Sequence, residues 1–113
     1  MSLERGIELF NAGRYWDAHE AWEEAWMPDR KGPDSGFYKG LIQVAAGCLH
    51  YGRRNRRGTL NKWRSGADYL RPYLPAHHGI DLGPLVAQTD ANRMAVEAGG
   101  WPDLAMPRIA RQG

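Results

Sequence analysis

The chain has 113 residues, 42% of them hydrophobic and 25% charged, which excludes general disorder and fits one globular domain with a core of its own. The single cysteine, Cys48, excludes an internal disulfide and fits a reducing, cytoplasmic setting. No basic-then-apolar leader opens the sequence, and no apolar run approaches the roughly 18 residues of a membrane span, so no membrane contact is expected.

The net charge of +2 hides an uneven distribution. Residues 1–36 carry a net −4, residues 37–76 a net +7 and residues 77–113 a net −1. Such asymmetry points to an anionic partner, or to an acidic face meeting a basic one within the protein or a homo-oligomer. Five Trp and five Tyr must bury in a core or in a partner surface.

Ser2 is placed to cap a short first helix carrying Leu3, Ile7 and Phe10 at near-helical spacing. Asn11-Ala-Gly13 ends it, glycine tolerating the left-handed C-terminal cap. The next stretch, Tyr15 to Trp26, predicts an amphipathic helix. Tyr15, Ala18, Trp22, Ala25 and Trp26 share one stripe, and Asp17, Glu20 and Glu24 lie opposite. His19 falls at the edge of the apolar stripe, with Glu23 one turn on.

Pro28 stops this helix, and a polar turn leads to Asp34 or Ser35 as the cap of a third helix running to about Arg54. That helix is apolar nearly all round, as expected of an element surrounded by others. Its one polar stripe holds Lys39, Gln43 and His50, with Ala46 and Gly47 small enough to admit a neighbouring helix. Arg53 to Gly58 makes the next bend. A fourth helix then reaches about Tyr73, with Leu60, Trp63, Ala67, Leu70 and Leu74 on one face; Gly66 inside it suggests close packing.

Residues 76–84 are expected as a loop, in which His77 and His78 are solvated. A fifth helix fits Leu85 to Ala98, with Leu85, Gln88 or Thr89, Asn92 and Val96 inward. Residues 101–113 form an irregular tail lying over a single helical domain of residues 1–100. No strand alternation is visible, so the fold class is all-α. It is a compact bundle of about five helices around the central helix at about 35–54. A faint echo at an offset of 41, matching Trp22 with Trp63, points to tetratricopeptide-like helical hairpins without a true repeat array.

Three segments together resemble one family. Phe10-Asn-x-Gly-x-Tyr-x-x-Ala-His19-Glu20-x-x-Glu23-x-x-Trp26 is similar to the first signature of the small helical family catalogued as "domain of unknown function 309". Lys39-Gly-Leu-Ile-Gln43-x-Ala-Ala-Gly-x-x-His50 and Gly52-x-x-Asn55-x-x-Gly58 are similar to its second and third. The match spans about residues 10 to 70 and implies an all-α fold of packed helices with no established activity. One departure is Thr59, where the pattern leads us to expect Ala.

The strongest candidate constellation is His19, Glu23, Gln43 and His50, with Glu20 and Lys39 at its margin. The second and third helices should be antiparallel neighbours, so their polar stripes should meet. One reading is a satisfied hydrogen-bond cluster that fixes helix register. Another is a groove for a protein or small-molecule partner. A third is a divalent metal site of His19, Glu23 and His50, serving a small hydrolase, or His19 as a general base oriented by Glu23. Helical phase turns Glu20 away from His19 and Glu23, so the string is not a zincin motif, and no cofactor is otherwise predicted. Cys48 lies on the apolar face as a small core residue. Arg53, Arg54, Arg56 and Arg57 could attract an anion or nucleic acid, although no RNA-binding motif accompanies them; the alternative is a solvated turn or pairing with the acidic hairpin. Trp16 and Trp101 are candidate anchors for a partner or a second copy.

Overall fold

A computed structural model describes residues 2–112. Five helices follow in order: α1 Ser2–Asn11, α2 Tyr15–Trp26, α3 Ser35–Gly52, α4 Arg56–Leu70 and α5 Leu82–Glu97. Each packs chiefly on its chain neighbours, and the α3–α4 interface is the most extensive. The all-α expectation holds, with α3 between α2 and α4 as its apolar circumference requires. No helix among the described residues is long and apolar enough to cross a membrane.

The turns obey local chemistry. Gly13 adopts φ +82° after α1, where a side chain would be strained. Pro28 does not stop α2 outright; Met27–Asp29 continues as one tighter 3-10 turn, its proline in a position that needs no N–H donor. The arginine run is also divided differently from expectation. Arg53 and Arg54 form the bend, with Arg54 at φ +58°, whereas Arg56 and Arg57 are already the first turn of α4. Asn55 caps that helix, its Oδ1 accepting from the Gly58 N–H at 3.0 Å. Thr59, the departure from the family pattern, is fully buried and donates from Oγ1 to the Asn55 carbonyl at 2.7 Å.

The core is built on Trp22 and Trp63, both 0% exposed, together with Phe10, Phe37, Leu41 and Leu70. A Cβ at Gly47 would overlap the Trp63 indole, so the small residue on the α3 stripe is what admits that ring. Leu74, expected on the inner face of α4, is instead 40% exposed, because α4 ends at Leu70 and a 3-10 turn at Arg71–Tyr73 turns the chain away.

Residues 76–81 correct the expected loop. They form a β-hairpin, β1 Ala76–His77 and β2 Ile80–Asp81, joined through His78 and Gly79 at φ +48° and +75°. Two successive left-handed residues give the twist a two-residue hairpin needs. From the tail, β3 Ala110–Arg111 pairs antiparallel with β2, making a three-stranded sheet too short for strand alternation to reveal. The tail is also bound to the first helix: Asn11 donates to the Ile109 carbonyl and accepts from its N–H, both at 2.9 Å. Ile109 is 5% exposed and belongs to the core.

Candidate functional site

The structure brings together part of the expected constellation and separates the rest. His19, Glu23, Trp26, Lys39, Ile42 and Gln43 line a cavity of about 200 Å³ between α2 and α3. His19 Nε2 stands 3.6 Å from Glu23 Oε2, an ion-pair distance too long for a good hydrogen bond. Trp16 stacks on the imidazole with centroids 5.2 Å apart and planes 7° off parallel. Under that ring, His19 Nδ1 is buried and has no hydrogen-bond partner among the described residues. Lys39 contributes its stem to the wall, because its ammonium sits over the Tyr69 ring at 5.2 Å. Trp26 is pinned by its indole N–H, which donates to Ser35 Oγ at 3.0 Å; that hydroxyl donates in turn to the Arg30 carbonyl.

Glu20 is exposed and lines a separate shallow depression with Glu23, Glu24 and Met27. Helical phase turns it from His19, and Glu23 bridges the two faces.

His50 does not join the groove. It stands two helical turns beyond Gln43, roughly 10 Å along the axis. Its ring faces the start of α4, where a Cβ on Gly58 would come within 2.6 Å of His50 Cγ and where Asn55 Nδ2 donates to Nδ1 at 3.3 Å. The set His19, Glu23 and His50 is therefore not assembled as metal ligands among the described residues. No satisfied network of His19, Gln43 and His50 is formed among them either. Cys48 is 2% exposed, and burial pushes its thiol up to about 12, so it stays protonated and unreactive in the core.

Two of the four arginines have structural duties. The Arg54 guanidinium lies over the Tyr51 and Trp101 rings and donates to the Tyr51 carbonyl at 3.2 Å. Arg56 donates to the carbonyls of Val96 and Glu97, closing the C-terminal end of α5. Arg53 and Arg57 are exposed. The acidic hairpin does not pair with this run among the described residues; Arg64 meets Glu97, and Arg71 meets Asp68 and Asp90.

A second cluster was not anticipated. His77 and His78 are not solvated loop residues: their Nε2 atoms donate to the two oxygens of Asp34 at 2.8 and 2.7 Å. Asp34 occupies the N-cap position of α3 but makes no side-chain cap bond, since both oxygens face the histidines. The rings pack on Phe37, with centroids at 4.8 and 5.4 Å, and Tyr73 stands 4.7 Å from His77. Nothing local in the sequence links position 34 to positions 77 and 78; only the hairpin brings them together. A pair of histidines before a glycine at a tight turn was the one available signal.

Hydrogen bonds from His77 and then His78 hold the Asp34 carboxyl below the ordinary carboxylate range. A pKa lower in the folded chain contributes stability above the unfolded value of about 4, lost as pH falls through the folded one. Asp34→Asn should therefore destabilise the protein near neutrality and progressively less below about pH 4. Urea unfolding curves across that range measure the difference, and a gap that does not narrow in acid would assign it to another group.

The fold and these sites define a small all-α domain with a polar groove between its second and third helices. The chain belongs to the family described as "Domain of unknown function (DUF309)", whose model matches residues 3–61. That segment contains α1 to α3, the groove and the start of α4, whereas His77 and His78 lie beyond it. No curated protein matches the chain.

Proposed function

We propose that this protein is a non-enzymatic binding module that takes a cationic side chain of a partner segment into the α2–α3 groove. The state of His19 carries this reading. A buried ring nitrogen without a partner costs about 1–3 kcal/mol, and here it lies beneath a tryptophan that is itself 54% exposed. Both features would be resolved by an occupant that covers the indole and, as Trp16 shifts off the imidazole, brings a hydrogen-bond partner to Nδ1.

The chemistry of the rim selects the occupant. Glu23 makes the rim acidic, with Glu20 and Glu24 in the neighbouring depression, while the Lys39 ammonium is drawn away to Tyr69. Trp26 and Ile42 offer an apolar wall for the stem of a lysine or arginine. Exposed Trp16 on α2 and Met27 in the 3-10 turn after it supply further contact area. A volume of about 200 Å³ suits one side chain and falls short of the roughly 300 Å³ at which small-molecule pockets begin.

Peptides presenting arginine or lysine between apolar residues, titrated into isotope-labelled protein, should shift the resonances of Trp16, His19, Trp26 and Gln43. Glu23→Gln and Trp16→Ala should each weaken binding by at least about tenfold, or roughly 1.4 kcal/mol. Equal shifts with acidic peptides, or none with basic ones, would remove the proposal. His19→Ala in the free protein should leave stability unchanged or raise it, because the ring makes no strong bond there and truncation removes its unpaired buried nitrogen. A loss of about 1–3 kcal/mol would make His19 a structural fastening.

A further inference from the structure

We propose that Asp34, His77 and His78 form a binding site for one divalent metal ion of the zinc class. Among the described residues, these three alone place potential ligand atoms from three side chains within 4.8 Å of one another. The site is separate from the α2–α3 groove and does not depend on its function.

The donor set is two imidazole nitrogens and one carboxylate oxygen, which suits borderline ions such as Zn²⁺, Co²⁺ and Fe²⁺ over Ca²⁺ or Mg²⁺. Both histidines present the same atom, Nε2, to one carboxylate. Ligands about 2.0–2.1 Å from a tetrahedral zinc lie roughly 3.3 Å apart, so the imidazole on the ligating oxygen opens by about half an ångström and the other, now on the second oxygen, moves toward the same ion. In exchange it replaces the two Nε2 protons that now bridge to the carboxylate, each imidazole ligating in the neutral form that carries its proton on Nδ1. The side chains of Asp34, His77 and His78 are 27%, 28% and 42% exposed, which leaves an entry path and an open coordination position for water.

The supporting structure fixes the ligands. His77 is in a strand paired with β2, and His78 holds the left-handed turn position, φ +48°, that directs its ring back toward Asp34. A non-glycine residue there carries some backbone strain, a recurrent feature of ligand sites. Phe37, fully buried, is a floor under both rings. Tyr73 stands beside His77 and donates from its hydroxyl to the Pro33 carbonyl at 2.7 Å, next to Asp34. The bound ion would tie the start of α3 to the hairpin, and through β2 to the tail.

The test uses the full chain without an affinity tag, stripped with chelator, and titrated with Zn²⁺ by calorimetry and with Co²⁺ by visible absorption. One ion per chain at low-micromolar affinity is expected, with a higher Tm in excess Zn²⁺. His77→Gln and His78→Gln should each weaken binding at least tenfold and the double variant should abolish it, while His19→Gln and His50→Gln should not change it. Where a variant fails to fold, Co²⁺ added to the unaltered protein should shift or broaden the His77, His78 and Tyr73 resonances before those of His19 or His50. Absence of binding at millimolar Zn²⁺, retention in the folded double variant, or paramagnetic effects centred on His19 or His50 would overturn the proposal.

Discussion

Trp22→Ala is expected to lower the unfolding free energy by roughly 3–5 kcal/mol. The indole is 0% exposed and donates from Nε1 to the Leu3 carbonyl at 3.2 Å. It packs on Phe10 at 5.7 Å and covers Gly6, where a Cβ would overlap the ring. Removing it leaves a cavity between α1 and α2 and takes one of two donors from the Leu3 carbonyl, which keeps its bond within α1, and neither helix can close the gap because both are held by the α1–α2 turn. Chemical denaturation measures the loss; a change below about 1 kcal/mol would mean that α1 repacks.

Gly66→Ala is expected to destabilise by about 1–3 kcal/mol, against its helix propensity. Propensity alone favours alanine by about 1 kcal/mol in a helix interior. Tertiary packing reverses the sign. A Cβ at Gly66 would lie 2.7 Å from Val44 Cγ2, 2.9 Å from the Val44 backbone nitrogen and 3.0 Å from the Gly40 carbonyl oxygen. The valine methyl can yield, but the α3 backbone cannot without moving the helix. Gly40 faces the same crossing, 3.1 Å from the Gly66 carbonyl oxygen by the same measure. A Tm that rises on substitution would contradict the close approach of α3 and α4.

Much of the architecture was legible because helical periodicity is a local property. Ala18 and Trp22 on α2, and Leu85, Thr89, Asn92 and Val96 on α5, are buried on the faces their spacing assigns. Helix ends were less legible, since they depend on competition among neighbouring groups. The Arg53–Arg57 run was expected as one bend, yet Asn55 can cap a helix and so starts α4 within it. The small sheet was invisible because its two-residue strands carry no period, and their pairing with the tail, like the Asn11–Ile109 contact beside it, joins residues far apart in the chain.

The candidate site divides in the same way. His19 and Glu23 at i, i+4 are neighbours on any helix, and α2 and α3 joined by a short connection bring Lys39 and Gln43 to them. His50 shares the stripe of Gln43 by sequence, but the α3 axis carries it to the α4 end, where Asn55 and Gly58 accommodate its ring. Spacing gives the face on which a residue lies and not the neighbour found at its height.

The helices, their inward faces and the family follow from spacing within a few residues and from motifs read in order. It takes the packed fold to show that Gly66 admits a helix backbone, that Lys39 turns its charge to Tyr69, and that Asp34 faces two histidines instead of capping α3. Each of these depends on atoms far apart in the chain, 43 residues in the case of Asp34 and His77. No local pattern encodes such a meeting. It is set when the apolar faces pack and the polar groups left at their edges take the partners within reach.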